Sequence, residues 1–265
     1  MTTILVATDF SGNAHWATNY ALEVAHQLHA RLVLIHAYEP FTNGIRSKAE
    51  RSYEQTLHQL NQLREQMLQA TNRPVDISVV ARTGSPAEII IDEATKWDAD
   101  LLVMGVTGDE LQQARRLGSL ATEMIPHTQV PMLLVPPGSC YQLVDNIVMA
   151  VDLLPSVDTL SLASASRFVQ LFNATLDIIC IANEPDEHLR KATKAIRNFL
   201  SSQPHTFSFL PGSDLITVLN NYCAEHKADL IMLLPKSHNR LRTFLPESDT
   251  QEVVCLTKVP VLAAV

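Results

Sequence analysis

Nowhere in these 265 residues is there an apolar run of 18 or more, so no transmembrane helix is expected. An excess of base is missing too: 20 Lys and Arg stand against 28 Asp and Glu, a formal net charge of −8. That excludes a broad basic face, and with it general contact with nucleic acid or an anionic membrane. No basic leader or cleavage site precedes the first strand-like segment, Thr3-Ile4-Leu5-Val6-Ala7, and a cytoplasmic location is the default expectation. Cys140, Cys180, Cys223 and Cys255 form no C-x-x-C pair, and three of them lie in apolar patterns, as buried structural thiols do. Among ten histidines no H-x-x-x-H pair shares a helix face with a third ligand, so no metal site is expected. His26, His29 and His36 read as packing or surface residues. What is present, 46% apolar and 18% charged residues, suits one large globular domain or two of ordinary size.

Glycine is also scarce, eight in all, yet three of the eight cluster at Gly105, Gly108 and Gly118, with Ser119 following. The cluster follows an apolar run, Leu101-Leu102-Val103-Met104, and precedes a helical pattern from Leu120 to Ile125. Glycine lets main-chain N–H groups approach a ligand closely. A strand, a glycine loop and a helix start together make a cradle for phosphate. No Lys follows the last glycine, so the segment is not a P-loop. Taken alone, two glycines in such a loop are equally ordinary turn punctuation.

The chain repeats itself. Ile4-Leu5-Val6-Ala7-Thr8-Asp9 is echoed by Ile147-Val148-Met149-Ala150-Val151-Asp152, and Leu34 to Pro40 by Ile179 to Pro185. Ala99 to Met104 matches Ala228 to Leu233, and Val130 to Leu133 matches Val259 to Leu262, both at an offset of 129. Similarity in fixed order over this length indicates duplication. A breaker cluster, Pro136-Pro137-Gly138-Ser139, marks the join. The expected domains are 1–138 and 145–265.

Each half alternates strands with helices. Strands are expected near 3–8, 31–37, 75–81, 100–105 and 131–135, then near 146–151, 175–181, 205–210, 229–234 and 259–264. Ala17, Ala21, Val24 and Leu28 recur at helical spacing. Ser85-Pro86-Ala87-Glu88 has the form of a capping box with Pro at the first helical position. Strands apolar on both faces and separated by helices imply a parallel sheet covered on each side. The expected architecture is α/β: two tandem doubly wound domains, each with a five-stranded parallel sheet in the order 3-2-1-4-5. Ligands then bind beyond the carboxyl ends of the strands, where the order reverses. Asp9 would stand there opposite the glycine loop, with Ala37 nearby. Its plainer role, as N-cap of the helix that begins around Gly12, is compatible with this.

These residues resemble the universal stress protein family in its tandem two-domain form. The family's nucleotide signature, G-x-x-G, nine residues, G-[ST], stands complete as Gly105, Gly108, Gly118 and Ser119. Ala7-Thr8-Asp9-Phe10-Ser11, Leu34-Ile35-His36-Ala37, Ala99 to Gly105 and Val130 to Val135 resemble its first, second, fourth and closing strands. The resemblance implies an adenine-nucleotide-binding domain whose cofactor is ATP, with or without Mg. By that resemblance Ala7, Thr8 and Asp9 belong to the nucleotide site, Asp9 near the ribose or phosphates, and the main chain around Ala37 meets the adenine. Gly105, Gly108 and Gly118 leave room for the phosphates, while Ser119 and the Leu120 N–H donate to them. It also implies closing strands that pair two domains, as a pseudo-dimer within the chain or a homodimer. One departure is Asp109-Glu110 inside the loop, which would repel a triphosphate unless turned outward or bridged by a cation. Arg115 and Arg116 are candidates to compensate.

The second copy lacks the cradle. The offset of 129 places Leu234 at Gly105, Ser237 at Gly108, Glu247 at Gly118 and Ser248 at Ser119, while Asp152 is retained. A carboxylate about 4 Å from a phosphate repels it by about 4 kcal/mol at a surface-like dielectric. The second domain is therefore expected not to bind nucleotide. Three functions stay open: a regulatory ATP-binding protein, a weak Mg-dependent ATPase or nucleotidyl-transfer relative, and a scaffold that binds no nucleotide. The glycine loop has no Walker lysine and no dedicated base beside it, which disfavours rapid turnover.

Overall fold

The computed structural model describes residues 2–38, 46–106, 119–125, 127–151, 159–182, 185–212, 214–234, 253 and 257–264. The chain divides into two compact units, the first ending at Tyr141 and the second starting at Gln142.

In the first unit the order is β1 (Thr3–Ala7), α1 (Gly12–Leu28), β2 (Arg31–Tyr38), α2 (Arg46–Ala70), β3 (Ile77–Thr83), α3 (Pro86–Lys96), β4 (Leu101–Gly105), α4 (Ser119–Met124) and β5 (Met132–Val135). These five strands pair in parallel in the order β3-β2-β1-β4-β5. Ile4, Leu5 and Val6 of the central strand are wholly buried; helices on both faces remove every side chain of a central parallel strand from water, whichever way it points. Ala17, Ala21, Val24 and Leu28 form the buried stripe of α1. Small side chains there bring the helix close to the strands it covers.

The second unit runs β6 (Asn146–Ala150), α5 (Thr159–Phe172), β7 (Thr175–Ile181), α6 (Glu187–Phe199), β8 (His205–Leu210), α7 (Leu215–His226), β9 (Leu230–Leu233) and β10 (Val261–Ala263). Its sheet order, β8-β7-β6-β9-β10, has the same form. Registers recur as well: Ile4 sits opposite Leu101, and Ile147 opposite Leu230. Leu102 faces Met132, and Ile231 faces Val261. A turn the sequence left unmarked also recurs. Gly84 and Gly212, each just before the helix that follows the third strand of its unit, both have φ +147. A Cβ at Gly212 would lie 2.7 Å from Val218, and one at Gly84 3.0 Å from Ile89. Only glycine takes that backbone without strain.

Two helix starts differ from expectation. Ser85 precedes α3, but its side chain makes no cap hydrogen bond. The helix begins instead with Pro86, whose φ is already helical, and with the Ser85 carbonyl accepting from Ile89 N–H at 3.0 Å. The N-cap of α1 is Ser11 rather than Asp9: at φ −67, ψ 164 the Ser11 Oγ accepts from Ala14 N–H at 3.1 Å. The Asp9 carboxylate accepts instead from Ser11 N–H at 2.9 Å, one residue before the helix.

Candidate functional site

The carboxyl end of β1 turns through three linked hydrogen bonds. Thr8 N–H donates to the Ile35 carbonyl at 3.0 Å, the last rung between β1 and β2. Thr8 Oγ1 accepts from Phe10 N–H at 3.1 Å, and Asp9 Oδ1 accepts from Ser11 N–H at 2.9 Å. Ser11 then caps α1. Threonine, aspartate and serine suit this path because short polar side chains satisfy the main-chain donors that leave the sheet. Ala7 and Thr8 are buried, whereas Asp9 is exposed at the top of the sheet. Between them and the helix, Phe10 has φ +62, a left-handed conformation unusual for an aromatic residue and of the kind that concentrates at functional turns.

A ring stack supports that turn. His36 Nδ1 lies 2.7 Å from the Thr8 carbonyl oxygen, so Nδ1 carries the proton and donates. The Phe10 ring lies 4.7 Å from His36, which stacks on Tyr38 at 6.1 Å and 14°. Sequence reasoning placed His36 among packing or surface residues and missed its bond to Thr8, because the partners become neighbours only through the β1–β2 pairing.

Ala37 stands between His36 and Tyr38 in the chain. Arg31 N–H bonds to Thr2, and Ile35 accepts from Thr8; Leu32 N–H bonds to Asp76, and Tyr38 accepts from Gly84. Odd-numbered residues of β2 thus turn their main chain toward β1, and even-numbered ones toward β3. β1 ends at Ala7, opposite Ile35. By this alternation the main chain of Ala37 faces the β1 side, two residues beyond the Ala7–Ile35 pair that ends the strand pairing.

On the other side of β1, Gly105 ends β4, paired with Val135 of β5. A Cβ at Gly105 would lie 3.1 Å from the carbonyl oxygen of Asn13. The glycine lets β4 and the first turn of α1 meet, a packing role that the loop pattern did not reveal. Ser119 is the first residue of α4, and Leu120 is half-buried. Gly108 and Gly118 lie outside the described residues, as do Asp109, Glu110, Arg115 and Arg116. In the second unit Leu234 is wholly buried; Asp152, Ser237, Glu247 and Ser248 lie outside the described residues.

Beside the β1 turn, a cleft of about 230 Å³ opens between Thr8, Phe10 and Ser11 on one side and Gln59, Gln62 and Gln66 of α2 on the other. Its lining holds no Asp, Glu, Lys or Arg and is rich in hydrogen-bonding groups, and its volume is below that of most small-molecule sites. The sequence reading did not single out these glutamines, which line the cleft together with His15 and Thr18 of α1.

The family model described as the universal stress protein family matches residues 1–136. A universal stress protein of Thermus aquaticus is 32% identical over 134 residues, covering 50% of this chain and 97% of that protein. In fold, the chain is similar to a universal stress protein from Archaeoglobus fulgidus, with a TM-score of 0.78 at 15% identity, covering 99% of this chain and 97% of the other. A protein of unknown function from Pseudomonas aeruginosa aligns with a TM-score of 0.63 at 16% identity, covering 100% of this chain and 92% of the other. A parallel sheet in the order 3-2-1-4-5, the turn at Asp9 and the family match over the first unit agree, and the chain belongs to the universal stress protein family.

Proposed function

We propose that the first unit binds an adenine nucleotide, ATP in the first instance, and that the protein works as a regulatory binder. The observation that carries this reading is the position of Ala37. By the alternation along β2 its main-chain donor and acceptor face the β1 side, beyond the last Ala7–Ile35 pair, and in this reading a base edge pairs with them. Such a main-chain pair suits the donor–acceptor edge of adenine, with the aromatic rings of His36 and Tyr38 alongside. Gly105, Gly108 and Gly118 with Ser119 and Leu120 complete the family's signature for the phosphates. Micromolar affinity requires about 8 kcal/mol, and hydrogen bonds to charged groups supply about 1.5–3 kcal/mol each, so three or four with a partly buried base suffice. Mg bound with ATP would offset the charge of Asp9 and of the Asp109-Glu110 pair.

The second unit, in this reading, holds no nucleotide: the buried Leu234 stands where the first unit has Gly105, and Glu247 stands at Gly118. Catalysis, if any, is slow hydrolysis, for want of a lysine on the phosphates. Among the described residues no helix is long and apolar enough to cross a membrane, and we place the protein in the cytoplasm.

Calorimetric titration of the full chain with ATP, with and without Mg, tests the reading. One site per chain is expected, abolished by Gly118→Glu. A stoichiometry of two, or binding that survives Gly118→Glu, would overturn it. Phosphate release that is fast, metal-dependent and lost in Asp9→Asn would replace the regulatory role with an enzymatic one. No binding and no thermal shift with ATP would leave the scaffold reading in its place.

A further inference from the structure

The second unit carries a feature unrelated to nucleotide. Of the 20 basic residues in this acidic chain, four lie on the 13-residue helix α6: Arg190, Lys191, Lys194 and Arg197. Its own carboxylates are engaged. Glu187 pairs with Lys191 at 2.8 Å, and Asp186 caps the helix by accepting from Leu189 N–H at 2.8 Å. Arg190, Lys194 and Arg197 remain, at positions i, i+4 and i+7, all exposed and with no ion pair among the described residues. That spacing aligns them along one side of the helix. Two are held in place: Arg190 Nε donates to the Pro185 carbonyl at 3.2 Å, and the Arg197 guanidinium sits 5.9 Å from the Phe207 ring centre. Preordered cations lose less freedom on binding than floppy ones.

We propose that this stripe is a docking surface for an acidic polypeptide segment of a partner protein. Seven residues of helix span about 10 Å, which an extended chain covers in about four residues. The segment is therefore short, with three carboxylates spread over four to six residues. Two other anionic partners fit less well. A membrane-bound amphipathic helix buries its apolar face in lipid, but Ala192 and Ile196 of α6, with Leu200 just after it, are buried in their own domain. A nucleic acid typically meets six to ten cations, and here there are three in a molecule of net charge −8.

The inference does not rest on nucleotide binding, and its test leaves ATP out. Fluorescence anisotropy of a labelled hexaglutamate peptide is measured against the full chain at low salt, with hexaglutamine as the uncharged comparison. Each exposed ion pair contributes roughly a factor of two to five, so Arg190→Gln, Lys194→Gln and Arg197→Gln together should weaken binding about tenfold. The same three-charge change made elsewhere, Arg64→Gln, Arg73→Gln and Lys258→Gln, should leave it within about twofold, and circular dichroism should show both variants folded. Raising the salt, which shortens the screening length to about 8 Å at 0.15 M, should weaken the wild-type complex. Absence of hexaglutamate binding, or equal loss in the two triple variants, would overturn the proposal. So would tighter binding through the stripe by a dT12 oligonucleotide or by phosphatidylserine vesicles, which would hand the surface to those partners.

Discussion

Gly105 lies where a single added carbon would come 3.1 Å from the carbonyl oxygen of Asn13, so the end of β4 and the first turn of α1 are in close contact through a residue with no side chain. The obstacle is main chain, which cannot rotate aside. Gly105→Ala should therefore destabilise the first unit by about 1–3 kcal/mol, the usual range for overpacking. Urea denaturation followed by a probe in that unit checks it. Unchanged stability would mean that α1 has slack in its seat.

Asp9 and Ser11 divide the turn between them: Asp9 accepts from Ser11 N–H, and Ser11 caps α1. Ser11→Ala removes the N-cap of α1 and should cost about 1 kcal/mol. Asp9→Asn keeps an oxygen that accepts from Ser11 N–H, so the turn and the thermal midpoint should hold while the charge disappears. A change in Mg dependence of ATP affinity without a change in melting temperature is the expected pair of results. A large loss of stability in Asp9→Asn would mean that its charge serves the fold.

Glu93 is the one acidic side chain at 3% exposure among the described residues, and it receives Arg82 Nε and Lys96 Nζ at 3.0 Å each. Burial pushes its carboxyl upward, but the bonds from Lys96 and Arg82, with their charges, outweigh this and hold it below the ordinary glutamate range. A depressed folded pKa means stability that is present above the unfolded value, near 4.3, and lost as pH falls through the folded one. Both cations are half exposed, and solvent screening keeps the contribution near 1 kcal/mol. Glu93→Gln should lower the urea midpoint at pH 7, with the gap closing on acidification below pH 4. A gap independent of pH would assign the effect to packing.

The thiols should sort by burial. Cys140 is exposed, while Cys180 and Cys223 are buried, and burial pushes the Cys223 thiol up to about 12. Since the thiolate is the reactive form, a disulfide reagent at pH 8 should label Cys140 at once and Cys223 only on unfolding. Peptide mapping by mass spectrometry reads the order, and rapid labelling of Cys223 would contradict it.

Strand positions, helix faces and the order of elements were legible in the sequence to within a few residues. An unbroken apolar run such as Leu101 to Met104 has few other fates, and Ala17, Ala21, Val24 and Leu28 state a helical period directly. Local chemistry was partly legible. Ser85 has the composition of a cap yet makes no cap bond, and Ser11, one residue before α1, does. Composition names the residues able to cap, but backbone angles select which of them reaches an N–H.

Periodicity and motif order along the chain sufficed for the α/β class, the repeated organisation and the family resemblance, since burial on both faces of a strand leaves its mark in neighbouring residues. Folding alone brought Gly105 against Asn13, His36 against the Thr8 carbonyl and Glu93 under two cations. Each of those relations joins segments that are distant in the chain. They arise because parallel strands are joined by crossovers, and the register of those crossovers depends on the packing of whole helices rather than on any local stretch of residues.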